Sequence, residues 1–261
     1  QIRETGALIW DEEGMNVGFG FSADLGSERV AAMLLAAYGG ALTDDAGRVA
    51  LDTPETVEAV RFAVDLYRDA MSPESLDWRA DRPARLLGEG IASIVSDDIS
   101  AFRLAQSRDG EIANDLFLAP PLAGPAGTTP TSLPTSFRVF HIPAFATNPE
   151  AAEAFLLMLV ASSEALVGSG QLSDRPAYGS LVPGLVQTGG WLDNDPYGAE
   201  PPEKLAMLKG SAAWSAAPAN ALETQAHASF LLARMMGRVI RGETSPDNAV
   251  AEAAAELRAM P

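Results

Sequence analysis

A chain of 261 residues, 47% apolar and 20% charged, can bury a substantial core and has the balance of a soluble globular protein of one or two domains. Its 35 acidic against 18 basic residues give a net charge of −17, which argues against nucleic acid, whose phosphates need a clustered basic face, and against an anionic membrane surface. With no cysteine, disulfides, thiolate catalysis and Cys-based zinc sites are excluded, and the densest apolar run, Leu156 to Ala161, is far shorter than the roughly 18 to 20 residues that cross a bilayer.

The chain opens on Gln1 rather than Met, so a segment upstream is expected to have been removed or to lie outside the sequence. Gly18-Phe19-Gly20-Phe21-Ser22-Ala23 matches the dinucleotide pattern in form. Residues 11–16, however, carry polar and glycine positions where a hydrophobic strand should lead in, so no cofactor is expected there. A helix is predicted from Ser27 to Ala37, closed by Gly39-Gly40. Thr53-Pro54-Glu55 then places a capping hydroxyl, a proline at the first helical position and an acid near the positive end of the helix dipole. Val57, Val60, Val64 and Tyr67 continue it as one apolar stripe.

A strand is predicted over Ile91 to Val95, followed by Ser96-Asp97-Asp98 and a helix from Ile99 to Gln106. Further strands fit Leu116 to Ala119 and Val139 to Ile142, separated by a Pro-, Gly- and Thr-rich loop from Pro120 to Pro134. Asn148-Pro149-Glu150 and Ser245-Pro246-Asp247 repeat the helix-start pattern of Thr53, with apolar faces at Ala152, Phe155, Leu156 and Leu159 and at Val250, Ala253, Ala254 and Leu257. Ser169 to Pro202 is a long irregular region, too long for an idle connection. A helix from about Gln225 to Arg241 is closed by Gly242. Helices alternating with short strands predict α/β layers rather than a helix bundle.

Reacting groups are scarce. His141 sits in the apolar run Val139-Phe140-His141-Ile142, where a hydrogen-bonded structural role is expected, and His227 lies in the Gln225 helix, where a packing or polar-face role is expected. There is no nucleophile elbow and no Walker-type phosphate loop. Asp193-Asn194-Asp195 followed by Gly198 has the start of a calcium loop, but Tyr197 and Lys204 stand where ligands are required, so no metal is expected. Asp97-Asp98 is the acidic pair with most chemical interest. At the carboxyl end of a strand it can accept hydrogen bonds from ligand hydroxyls, or it can cap the helix that follows. No catalytic residue is assigned.

The order of these features resembles the family 1 extracellular solute-binding proteins of ABC importers, of the maltose-binding-protein-like, carbohydrate type. The likeness is carried by Met33 through Gly40, by Asp52-Thr53-Pro54-Glu55-Thr56-Val57-Glu58-Ala59 through Leu66-Tyr67, and by Leu86-Leu87-Gly88-Glu89-Gly90-Ile91-Ala92-Ser93-Ile94. It continues in Leu116 through Leu122 with Gly124 to Gly127, in Ile142-Pro143 with Asn148 through Leu156, and in Gly242 through Ala249. The resemblance implies a two-lobed periplasmic-binding α/β fold with most of the N-terminal lobe outside this chain. Residues 1–134 and 190–261 would form the C-terminal lobe, and 137–185 would cross to the N-terminal lobe, so the missing N-terminal part is an expected partner.

The resemblance further implies capture of a small sugar or sugar acid and delivery to ABC permease subunits, without covalent chemistry and without a cofactor. The expected location is periplasmic or extracellular, compatible with a lipid anchor on a removed N-terminus. A glycoside hydrolase or other carbohydrate-active enzyme, and a ligand-sensing module without transport, are the alternatives. Ile99 and Arg138 stand near places where the family often carries a sugar-stacking Trp. Arg138 suits a carboxylate or phosphate on the ligand through paired hydrogen bonds. By the resemblance, Ser96, Asp97, Asp98, Ser136, Phe137 and Arg138 are the expected contacts, joined by Tyr178, Trp191, Trp214 and Asn220; Trp78 is expected to pack in the core.

Overall fold

The computed structural model describes residues 1–97, 101, 104–105, 108, 110–117, 122–125, 141–161 and 220–261. The elements in chain order are α1 (Ile2–Glu13), β1 (Asn16–Gly18), α2 (Leu25–Ala37), α3 (Pro54–Ala70), a 3-10 turn (Pro73–Leu76), α4 (Arg82–Gly88) and β2 (Ala92–Val95). Then come α5 (Gly110–Asp115), α6 (Pro149–Ala161), α7 (Ala221–Ala228), α8 (Leu231–Ile240) and α9 (Pro246–Ala259).

The three helix starts marked by a cap, a proline and an acid form as their chemistry dictates. Thr53 Oγ1 accepts from the Thr56 N–H, Asn148 Oδ1 from the Ala151 N–H and Ser245 Oγ from the Asn248 N–H. Each removes one of the unpartnered donors of a first helical turn. Helix α2 starts two residues before the predicted Ser27, because the Asp24 carboxylate caps it by accepting from the Ser27 N–H at 2.9 Å.

β1 and β2 run parallel, pairing Val17 with Ile94 and Gly18 with Val95, so both strands present their carboxyl ends at one edge. Gly18 is fixed by this pairing: a Cβ there would lie 2.8 Å from Val95 Cγ1 and 2.9 Å from Ala92 Cβ. Helix α1 packs on α3 and β1, and α4 packs on β2. The main core gathers Val17, Phe19 and Phe21 with Leu34 of α2, Leu66 of α3, Leu232 and Met236 of α8 and Leu257 of α9, all buried. Each such side chain contributes about 1.5–3 kcal/mol by leaving water. Trp78 is buried as expected, in a smaller cluster with Leu86 and Ala92. At the α1–α3 seam, Arg3 bonds Asp65 at 2.7 Å and Asp69, and Arg68 also pairs with both carboxylates.

Several sequence expectations change. The helix predicted from Gln225 to Arg241 is two helices, α7 and α8, broken at Ser229-Phe230, where Phe230 takes a left-handed backbone at φ 54°. Gly242, at φ 74°, ends α8 as predicted. Leu116 and Phe117 follow α5 without strand pairing, and His141 and Ile142 lie in irregular chain; the rest of both predicted strands lies outside the described residues. His141 is exposed rather than embedded in an apolar strand. Of the predicted helix Ile99 to Gln106, the described Ala101, Leu104 and Ala105 are helical. Of the predicted loop Pro120 to Pro134, residues 122–125 are described: Leu122 packs on the core, and Gly124 lies directly against the carbonyl of Ala37. Ser169 to Pro202 lies outside the described residues.

Candidate functional site at the carboxyl ends of the parallel strands

In open α/β sheets ligands bind outside the carboxyl ends of the strands. Here that edge is formed by Ser96 and Asp97 after β2 and by the Phe19–Asp24 turn leading from β1 into α2. Ser96 Oγ lies 4.0 Å from Met33 Sδ, which sets the end of β2 against the third turn of α2. Asp97 is exposed at the strand end. Its neighbour Asp98 lies outside the described residues, as do Ser136, Phe137, Arg138, Tyr178, Trp191 and Trp214.

Asn220 is the remaining expected contact, and its amide is engaged within the protein. Its Oδ1 caps α7 by accepting from the Leu222 N–H, and its Nδ2 donates to Thr43 Oγ1, whose hydroxyl donates to Glu223. Thr43 lies beyond the C-terminal end of α2. Four residues past Glu223 on α7, His227 reaches Glu28 in the first turn of α2. Helix α7 is thus tied through Asn220 and Glu223 to the loop after α2 and through His227 to the first turn of α2.

The glycine-containing turn has the strand-to-helix context that its sequence argued against, since β1 precedes it and α2 follows. Its donors are nevertheless taken: the Phe21 N–H donates to the Ser75 carbonyl, the Ser22 N–H to Ser27 Oγ, and the Ser27 N–H to Asp24. Phe19 and Phe21 are turned into the core. The Asp24 carboxylate caps α2 at the end of this turn, and its negative charge opposes a phosphate there.

Sequence reasoning missed the pairing of Glu28 with His227. Glu28 is 1% exposed, with His227 Nδ1 2.9 Å from its Oε1 and the Ala233 N–H donating to its Oε2 at 2.8 Å. The available signal was one glutamate set among Val30, Ala31, Met33 and Leu34 on an apolar helix, a position that demands a partner. Among the described residues no group of three or more His, Cys, Asp or Glu side chains is placed to hold a metal ion, and no helix is long and apolar enough to cross a membrane.

No protein-family model and no curated protein matches the chain. Solved structures do. The maltose-bound MalE3 of T. maritima superposes with a TM-score of 0.68 at 20% identity, over 98% of this chain and 63% of that one. A putative oligosaccharide periplasmic-binding protein from Synechococcus sp. MITs9220, in complex with zinc, gives 0.58 at 17% identity, over 99% of this chain and 64% of that one. An ABC transporter solute-binding protein from Thermotoga lettingae TMO, bound with alpha-D-tagatose, gives 0.57 at 18% identity, over 93% of this chain and 58% of that one. The chain thus spans less than two thirds of the length of each. It carries the α/β fold of the two-lobed periplasmic-binding proteins.

Proposed function

We propose that this chain belongs to the extracytoplasmic solute-binding component of an ABC importer, which captures a sugar or sugar-like polar ligand between two lobes and delivers it to the permease. The observation that carries this reading is the superposition of nearly the whole chain on proteins solved with maltose and with tagatose. The work is binding and hinge closure, with no covalent step. A periplasmic or extracellular location follows from the same role.

Residues 1–134 and 190–261 form one lobe in this reading, and residues 137–185 cross to the other. The composition of α6 supports the crossing. After Glu150 and Glu153 the helix is apolar all round, and Phe155, Leu157 and Met158 are exposed. A helix of that kind belongs inside a larger structure. The ligand is met by Ser96, Asp97 and Asp98 from the β2 edge, by Ser136 just before the crossing segment and by Phe137 and Arg138 within it. Tyr178, Trp191 and Trp214 offer aromatic faces, and Asn220 completes the set. Carboxylates and a guanidinium suit planar pairs of hydroxyls, and a ring covers the apolar face of a sugar.

Calorimetry on the full-length protein tests these assignments. Asp97→Ala and Arg138→Ala should each weaken sugar binding by roughly tenfold or more, since a hydrogen bond to a charged group contributes about 1.5–3 kcal/mol and tenfold is about 1.4 kcal/mol. Unchanged affinity in both variants would remove them from the site.

A further inference from the structure

Helix α8 begins without a local cap: Phe230 occupies the capping position with a left-handed backbone and offers no side-chain acceptor. The first-turn N–H of Ala233 is instead satisfied by Glu28, reaching across from α2. A carboxylate as buried as Glu28 is stable only with donors on its oxygens. Ala233 supplies one donor, and His227 Nδ1, 2.9 Å from Oε1, is placed to supply another. In a neutral imidazole one nitrogen donates and the other accepts. With Glu28 ionised and the imidazole neutral, Nδ1 is the donor, which leaves the lone pair on Nε2.

The two side chains differ in exposure. The Glu28 side chain is 1% exposed and the His227 side chain 24%. The ring edge bearing Nδ1 meets the buried Glu28, and Nε2 lies on the part of the ring turned away from that contact. Glu28 lies in the first turn of α2, which follows from the carboxyl end of β1, the same edge of the sheet that presents Ser96 and Asp97.

We propose that Glu28 is a positioning residue that holds His227 as its Nδ1–H tautomer, so that His227 Nε2 accepts a hydrogen bond from a hydroxyl of the bound solute. The inference rests on the solute-binding reading above and deepens it. A neutral nitrogen acceptor selects a ligand with a donor at that point, a hydroxyl, and rejects a carboxylate or phosphate oxygen, which has nothing to donate. The carboxylate–imidazole arrangement is the one proteins use to fix which ring nitrogen faces a ligand.

The test is long-range proton–nitrogen correlation NMR on full-length protein labelled with 15N-histidine, at about pH 8, where an ordinary imidazole is neutral. A His141→Gln variant assigns the two rings. The expected spectrum has His227 protonated at Nδ1 and bare at Nε2, with that preference lost in Glu28→Gln. Titration with maltose, D-tagatose and D-galacturonate follows, and the sugar that raises Tm should move the Nε2 resonance and leave Nδ1 in place. His227→Gln keeps an N–H donor for Glu28, so it should melt like the parent while binding that sugar at least tenfold more weakly. A proton on Nε2, an Nε2 resonance unmoved at saturation, or unchanged affinity in His227→Gln would each overturn the proposal. If none of the sugars raises Tm, the sugar reading falls and takes the ligand half of this proposal with it; the tautomer is still decided by the first spectrum, which needs no ligand.

Discussion

At the scale of single residues, close backbone approaches and charge clusters dominate. Gly237 lets α8 lie against the turn that follows β1: a Cβ there would sit 2.7 Å from the Phe21 carbonyl oxygen, a backbone atom with little room to yield. Gly237→Ala should therefore cost about 1–3 kcal/mol despite its better helix propensity. Urea unfolding measures the loss, and a stabilised variant would show that the two backbones are further apart. Asp69 is held below the ordinary carboxylate range by hydrogen bonds from Arg68 and then Arg3. Its contribution to stability is full above the ordinary carboxylate value and is lost as pH falls through the lower folded value. Carbon-13 NMR of the side-chain carboxyl should find Asp69 titrating below an unperturbed aspartate; a midpoint at or above the ordinary value would contradict the ion cluster at the α1–α3 seam.

At the scale of elements, what is local was legible in the sequence and what is tertiary was not. Thr53-Pro54-Glu55, Asn148-Pro149-Glu150 and Ser245-Pro246-Asp247 each announce a helix because cap, proline and acid act within one turn. The break at Ser229-Phe230 could not be read in the same way. The Gln225 to Arg241 pattern is helical throughout, and the acceptor that serves the first turn of α8, Glu28, lies on a helix near the other end of the chain. The same distance in sequence hid the Glu28–His227 pair, and it made His227 look like a packing residue. Of the candidate site, the strand end at Ser96 and Asp97 was legible because β2 reads clearly as a strand. The structural duty of Asn220 was not, because it depends on Thr43. Helix α6 yields the prediction at this scale. If the crossing segment packs on the second lobe, Leu157→Asp in the full-length protein should cost more than about 2 kcal/mol, since a charge would be buried without a partner. A change within about 0.5 kcal/mol by urea unfolding would mean that this face stays in water.

At the scale of the whole molecule, the fold and the composition point the same way. A net charge of −17 argues against a nucleic-acid partner, and nearly the whole chain superposes on binding proteins solved with sugars. The charge carries no information about the ligand itself; in the proposed reading that lies with the strand edge and His227. Isothermal calorimetry of the full-length protein against neutral sugars and sugar acids tests capture most directly. Expected is saturable one-to-one binding to at least one neutral sugar, with about 2.7 kcal/mol of added stability when that sugar is present at a hundred times its Kd. No binding heat and no rise in Tm with any sugar or sugar acid would contradict a solute-binding role.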